Sequence, residues 1–162
     1  DGSGYDVACA FAEGPIEYIN SPDEVSYTEV DFNPKFKNNL YFVHLNKKQD
    51  TKKGIKEYLK AVKNKSQLTK SITKITEDIR QVTTLTEFNG LIDKHEELIA
   101  SHTGFEKVKD LLFSDFKGSV KSLGAWGGDF VLATSDAGAD AVRQYFNGKG
   151  YNTVLEYKEI IL

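Results

Sequence analysis

Apolar positions recur along this chain in two rhythms, one of period two and one of three to four, and the switches between them mark out its elements. Ile16 to Ile19 alternates apolar with polar and reads as a strand, closed by the turn residues Ser21-Pro22-Asp23. Val25 to Phe32 reads as a second strand with neither side cleanly apolar. Val25, Tyr27, Glu29 and Asp31 share one side, and Ser26, Thr28, Val30 and Phe32 share the other. Leu40 to Leu45 is the most strongly apolar short run and is expected to be a central strand. His44 inside it reads as a packed side chain, since no second ligand stands at useful spacing.

After Asn46 the rhythm becomes helical. Ile55, Tyr58, Leu59 and Val62 mark the inner face of one amphipathic helix, and Leu68, Ile72, Ile75, Ile79 and Val82 mark a second, from about Ser66 to Gln81. Thr84 and Thr86 offer caps for a third, whose stripe is Phe88, Leu91, Ile92, His95, Ile99 and His102. Its two histidines are seven residues apart, about 10 Å along a helix, too far to share a metal ion. They read as helix-face histidines at a surface, with a pocket-facing His95 as the alternative. Gly104 breaks the pattern. Phe105, Val108, Leu111, Leu112 and Phe116 define another helical face that Gly118 ends.

A helix from Asp136 to Asn147 turns Ala141, Val142, Tyr145 and Phe146 to a sheet and stops at Asn147-Gly148-Lys149-Gly150. Tyr151 to Tyr157 gives the last strand, and an apolar tail, Ile160 to Leu162, follows. At the other end, Val7 to Ala12 reads as a short, small-faced and buried helix with Asp6 in its first turn, stopped by Gly14-Pro15. The order strand, helices, strand, strand, helix, strand predicts an α+β fold: a ferredoxin-like split βαβ antiparallel sheet with additional helices.

Between the two strands of Ser119 to Thr134 lies a turn holding Gly124, Gly127 and Gly128, nearly bare of side chains. Such glycines serve either a hairpin turn that needs positive φ or a loop whose backbone approaches a ligand. A second glycine site, Gly2-Ser3-Gly4-Tyr5-Asp6-Val7-Ala8-Cys9-Ala10, places a hydroxyl and a carboxylate just ahead of the first short helix. Taken alone, Asp6 is a carboxylate stabilising a helix N-terminus.

Composition narrows the classes. A chain of 162 residues, 40% hydrophobic and 28% charged, buries about two thirds of its unfolded surface and sustains one core. Cys9 is the sole cysteine, so no intramolecular disulfide forms and a cytoplasmic location is expected. No apolar run is long enough to span a bilayer, so no membrane partner is expected. There is no methionine, so Asp1 is not a translation start and the sequence is expected to be part of a larger protein. Lys47, Lys48, Lys52, Lys53, Lys56, Lys60, Lys63, Lys65 and Lys70 are countered in their window only by Asp50 and Glu57. They read either as an approach to a phosphate ligand or as the solvated outer face of a helix. With a net charge of −3, nucleic acid is not an expected partner.

The two glycine stretches together resemble the carboxy-terminal half of a galactokinase, homoserine kinase, mevalonate kinase and phosphomevalonate kinase (GHMP) family member. The opening is most similar to the mevalonate and phosphomevalonate branch, where a Ser-Gly-x-Asp turn leads into a helix of small residues. Lys121-Ser122-Leu123-Gly124-Ala125-Trp126-Gly127-Gly128 is similar to the family's third motif, usually a Gly-Ala-Gly-Gly-Gly run.

The resemblance follows the whole chain in element order and implies that residues 1–162 form a GHMP kinase C-terminal-like domain. It implies ATP and Mg2+ as cofactors, a small-molecule acceptor, and Asp6 as the base or acceptor-orienting residue. Gly2, Ser3, Gly4, Lys121, Gly124, Ala125, Trp126, Gly127 and Gly128 then bind substrate or nucleotide, with Thr51 of the polar loop Gln49-Asp50-Thr51 beside the acceptor. The implied partner is the N-terminal domain carrying the ATP phosphate loop, without which the chain is inactive. A homodimer is the other cover for the face that domain would leave. Two positions depart from the pattern: Trp126 stands where a glycine is usual and Asp129 where a small residue is common. An indole there is expected to line the acceptor pocket. The alternative from another class is a non-catalytic ferredoxin-like ligand-binding or protein-interaction module.

Overall fold

The computed structural model describes residues 4–21, 23–48, 56, 58–62, 65–124, 126 and 128–161. Helix α1 (Tyr5–Phe11) precedes a hairpin of β1 (Ile16–Asn20) and β2 (Val25–Glu29). Strand β3 (Leu40–His44) leads into helical residues at 58–61 and then α2 (Lys65–Ile79), α3 (Leu85–Thr103) and the short α4 (Val108–Leu112). Strands β4 (Val120–Ser122) and β5 (Phe130–Thr134), helix α5 (Ala139–Gly148) and strand β6 (Val154–Glu156) complete the order.

The main sheet runs β4-β5-β3-β6 with every neighbouring pair antiparallel. Strand β5 is inserted between β3 and β4, so the split βαβ arrangement expected from element order is the one observed. Its register places Val43 opposite Val131 on one side and Val154 on the other. Because side chains alternate across a strand, Tyr41, Val43 and Leu45 join Val120, Val131, Ala133 and Val154 under Phe113, Phe116, Val142 and Phe146. Leu40, Phe42 and Leu132 turn the other way, to Phe36, Phe88 and Ile92. Both sheet faces are therefore covered, which is why the run from Leu40 to Leu45 is apolar without alternation.

Local chemistry sets the helix ends. Thr84 and Glu87 form a capping box at the start of α3, and Gly104, at φ 75°, closes it. The first core is tied by rings: Phe113 meets Phe146 edge-on at 5.0 Å and Tyr151 at 5.3 Å.

Several boundaries differ from expectation for tertiary reasons. Strand β2 stops at Glu29 because the chain must leave the hairpin to deliver Phe32 and Phe36 to the second core. The predicted helix over 105–116 is helical only at Val108–Leu112; beyond it the chain turns so that Phe113 and Phe116 enter the first core from a loop. Strand β6 is confined to the three residues that pair with Tyr41–Val43, and Tyr157 instead donates its hydroxyl to the Phe32 carbonyl at 3.0 Å. The last helix begins at Ala139 because Gly138, at φ 85°, breaks the backbone just before it.

Helix α1 is not buried as expected: Ala8 alone is, and Phe11 is 76% exposed. It rests on the β1–β2 hairpin, where Glu13 N–H donates to Glu29 at 3.0 Å. Tyr5, Val7, Val25 and Tyr27 are likewise exposed. Leu59 also faces solvent, while Val62 is buried and Ile55 lies outside the described residues. Lys47, Lys48, Lys56, Lys60, Lys65 and Lys70 are all exposed, as a solvated face requires. Among the described residues no helix is long and apolar enough to cross a membrane.

Candidate functional site

The glycine loop is held at both ends. Leu123 N–H donates to the Phe130 carbonyl at 3.1 Å, closing the β4–β5 hairpin. Asp129 takes a left-handed conformation, φ 50°, that few non-glycine residues adopt. Its N–H donates to the Lys47 carbonyl at 2.9 Å, and its carbonyl accepts from Leu45 N–H at 2.7 Å. The loop is thereby fastened to the exit of the central strand. Gly124 is left-handed, φ 64°, with open space where a Cβ would stand, and Gly128 is buried.

Trp126 does not lie across this backbone. Its Nε1–H donates to the Glu106 carbonyl at 3.2 Å, holding the half-buried indole against the connection between α3 and α4. There it forms a wall of a cleft of about 540 Å³, shared with Leu45, Lys47, Phe105, Leu111 and Tyr151.

Lys121 precedes the loop but points elsewhere. It shares the second sheet face with Leu132, its cross-strand partner, and its Nζ donates to the Ser122 carbonyl at 2.9 Å. Against it, from α3, stand Glu96 and His95. Glu96 is 2% exposed and neither of its oxygens makes a hydrogen bond among the described residues. His95 Nδ1 lies 3.9 Å from Glu96 Oε1. Burial pushes the Glu96 carboxyl up to about 7, opposed by the Lys121 ammonium and the nearby Ser122 N–H. Burial first, and then Lys121, push the His95 imidazole down to about 4. Burial also lowers Lys121, with Glu96 pulling it back.

The cluster continues a polar ladder along α3. Ser119 Oγ donates to Asp93 at 2.8 Å, and Thr134 Oγ1 donates to Asn89 at 2.7 Å while accepting from Ser119 N–H at 3.1 Å. His95 is thus largely interior, not the surface histidine expected. Glu96 was not foreseen, although it completes the buried stripe Phe88, Ile92, Glu96 at steps of four.

Gly4 and Asp6 belong to another neighbourhood. Gly4 precedes α1 at φ 81°, and a Cβ there would stand 3.2 Å from the Tyr18 hydroxyl. Asp6 is exposed in the first turn of α1. Among the described residues no hydrogen bond or ion pair joins Asp6 to Lys121 or to the glycine loop. Gly124, Trp126 and Gly128 are brought together on one hairpin; Gly2, Ser3, Thr51, Ala125 and Gly127 lie outside the described residues. Also among the described residues, no group of three or more His, Cys, Asp or Glu is placed to hold a metal ion.

No protein-family model and no curated protein matches the chain. Among solved structures, the mevalonate kinase of Methanococcus jannaschii is similar, with a TM-score of 0.62 at 19% identity over 80% of this chain. The chain spans 43% of the length of that kinase. The likeness is one of fold: the α+β architecture with its antiparallel sheets is shared.

Proposed function

We propose that this chain is the C-terminal portion of a GHMP-type small-molecule kinase that transfers the γ-phosphoryl group of ATP to a hydroxyl or phosphate acceptor. The observation that carries this reading is the glycine hairpin fastened to the central strand of a split βαβ sheet, in the fold that a mevalonate kinase shares. The sequence Ser3-Gly4-Tyr5-Asp6, which leads into α1, supports it from the other end of the chain.

Phosphoryl transfer asks a protein chiefly for positioning and for charge aimed at the transferring group. In this reading Asp6 orients or deprotonates the acceptor hydroxyl, which its exposed place in the first turn of α1 permits. Gly124 and Gly128 bring backbone close to the phosphates, and the open space at Gly124 fits such an approach. The indole of Trp126 leaves that space clear because Glu106 holds it on the cleft side. ATP with its Mg2+ supplies the phosphoryl group and the charge that neutralises it. Lys121 Nζ is bonded to the Ser122 carbonyl, so the cation that places Asp6 comes in this reading from the remaining half of the kinase. The same reading places the protein in the cytoplasm.

The test is ATP consumption by the full-length protein with mevalonate, phosphomevalonate, galactose and heptose phosphates as acceptors. Acceptor-dependent turnover is expected. Failure to bind ATP would leave the non-catalytic binding module, which Trp126 in a glycine's place favours.

A further inference from the structure

The cleft beside the glycine loop has features that loop closure does not need. Its volume, about 540 Å³, falls within the range of small-molecule sites, roughly 300 to 1,000 Å³. Its walls are an indole, a phenyl and a phenol ring, from Trp126, Phe105 and Tyr151, with Leu45 and Leu111 between them. Leu111 is 60% exposed, a large apolar side chain left open to water on the cleft's edge. Trp126 is fixed by its bond to the Glu106 carbonyl, so the ring is pre-placed and loses little freedom when a ligand stacks on it.

The cleft is lined by one residue of each charge sign. Lys47, an exposed residue, lines the cleft from the segment that holds Asp129. Glu106 is also a lining residue, and its backbone carbonyl is taken up by the indole.

We propose that this cleft binds the non-reacting body of the acceptor, a small molecule with a planar or branched apolar part and an anionic end that pairs with Lys47. As an acceptor site it rests on the kinase reading; as a binding site it does not. Trp126 belongs to the glycine loop itself, so a ligand stacked on the indole lies against the loop that this reading sets beside the phosphates. The indole that departs from the glycine pattern is then the residue that selects an acceptor with a ring or branched chain over a bare sugar.

Trp126 is the only tryptophan, so its emission reports the cleft directly. The experiment titrates the 162-residue chain with phenyl phosphate, benzylamine and inorganic phosphate, exciting tryptophan selectively. Phenyl phosphate is expected to change the emission saturably, while inorganic phosphate at the same concentration does not. Lys47→Ala should weaken phenyl phosphate about fivefold, and Leu111→Ser, at an exposed position, should weaken it comparably. Absence of a saturable change with phenyl phosphate overturns the proposal, as does an equal response to inorganic phosphate or a preference for benzylamine. The readout needs neither ATP nor transfer, so it fails separately from the kinase reading. Phenyl phosphate binding by a protein whose full-length form consumes no ATP would overturn the acceptor assignment alone.

Discussion

Gly118 stands so close to Thr134 that a Cβ built on it would lie 1.8 Å from the Thr134 carbonyl oxygen. Its φ of 149° is one that side-chain-bearing residues rarely adopt, and its own carbonyl accepts from Lys109 Nζ at 2.6 Å. This is a close approach of two strands at the threshold of β4. Gly118→Ala should therefore lower stability by more than about 2 kcal/mol, seen as an earlier urea midpoint with an unchanged slope. A midpoint within error of the unsubstituted chain would show that the approach can relax without loss.

Gly90 is the opposite case. It lies exposed inside the 19-residue helix α3, with nothing within 4 Å of a Cβ placed there. Gly90→Ala should stabilise the chain by about 0.5 to 1 kcal/mol, since a glycine backbone loses more conformational freedom on folding than an alanine backbone does. Thermal unfolding is the measurement, and a lowered midpoint would mean that α3 is not packed as described.

Thr134 is fully buried and its hydroxyl serves two partners, Asn89 as acceptor and the Ser119 N–H as donor. Thr134→Val keeps the shape and leaves both groups unpaired in the interior, at a cost of about 1 to 3 kcal/mol. Thr134→Ser keeps the hydroxyl and should recover most of that loss in the same denaturation series. Equal effects from the two substitutions would show that the methyl, not the hydrogen bonds, matters.

The buried pair on α3 makes opposite demands on pH. Glu96 is raised in the fold from 4.5 to about 7, so its contribution is fully present below pH 4.5 and is lost as pH rises through about 7. His95 is lowered from 6.5 to about 4, so its contribution is present above pH 6.5 and is lost as pH falls through about 4. Between pH 4.5 and 6.5 the two slopes offset each other. Glu96→Gln removes one of them, and the stability difference should move in the variant's favour by about 3 kcal/mol as pH rises from 4.5 to above 7. Urea unfolding across that range reads it, and a difference that does not vary with pH would mean Glu96 titrates normally.

If the proposed kinase reading holds, Asp6→Asn in the full-length protein should reduce acceptor-dependent phosphoryl transfer by a factor of about 100 or more while leaving the unfolding midpoint nearly unchanged. The side chain is exposed, so folding does not depend on it. Undiminished turnover would remove the base assignment.

Much of the fold is legible because the strongest patterns belong to its centre. Leu40 to Leu45 reads as a central strand because both sheet faces are covered, and Leu68, Ile75, Phe88 and Ile92 keep helical spacing because each faces another element. What is not legible depends on partners distant in sequence. Phe113 and Phe116 keep a helix-like spacing yet reach the core from a loop. Glu96 occupies an apolar stripe position with a polar side chain, which pattern reading assigns to solvent; Lys121 across the gap, with the Ser122 N–H, offsets part of its burial. Trp126 was legible as an anomaly and as a wall for a pocket, but not its partner, because Glu106 offers a backbone carbonyl that no side-chain pattern encodes.

Asp129 is gripped by both of its backbone groups, one to Lys47 and one to Leu45. The hairpin is thus tethered to the exit of the central strand through backbone atoms. The two bonds at Asp129 use backbone atoms alone and so do not depend on which side chain stands at position 126. Such an arrangement separates recognition from anchorage: an indole in place of a bare glycine changes what the hairpin offers a ligand and leaves its backbone tether as it was.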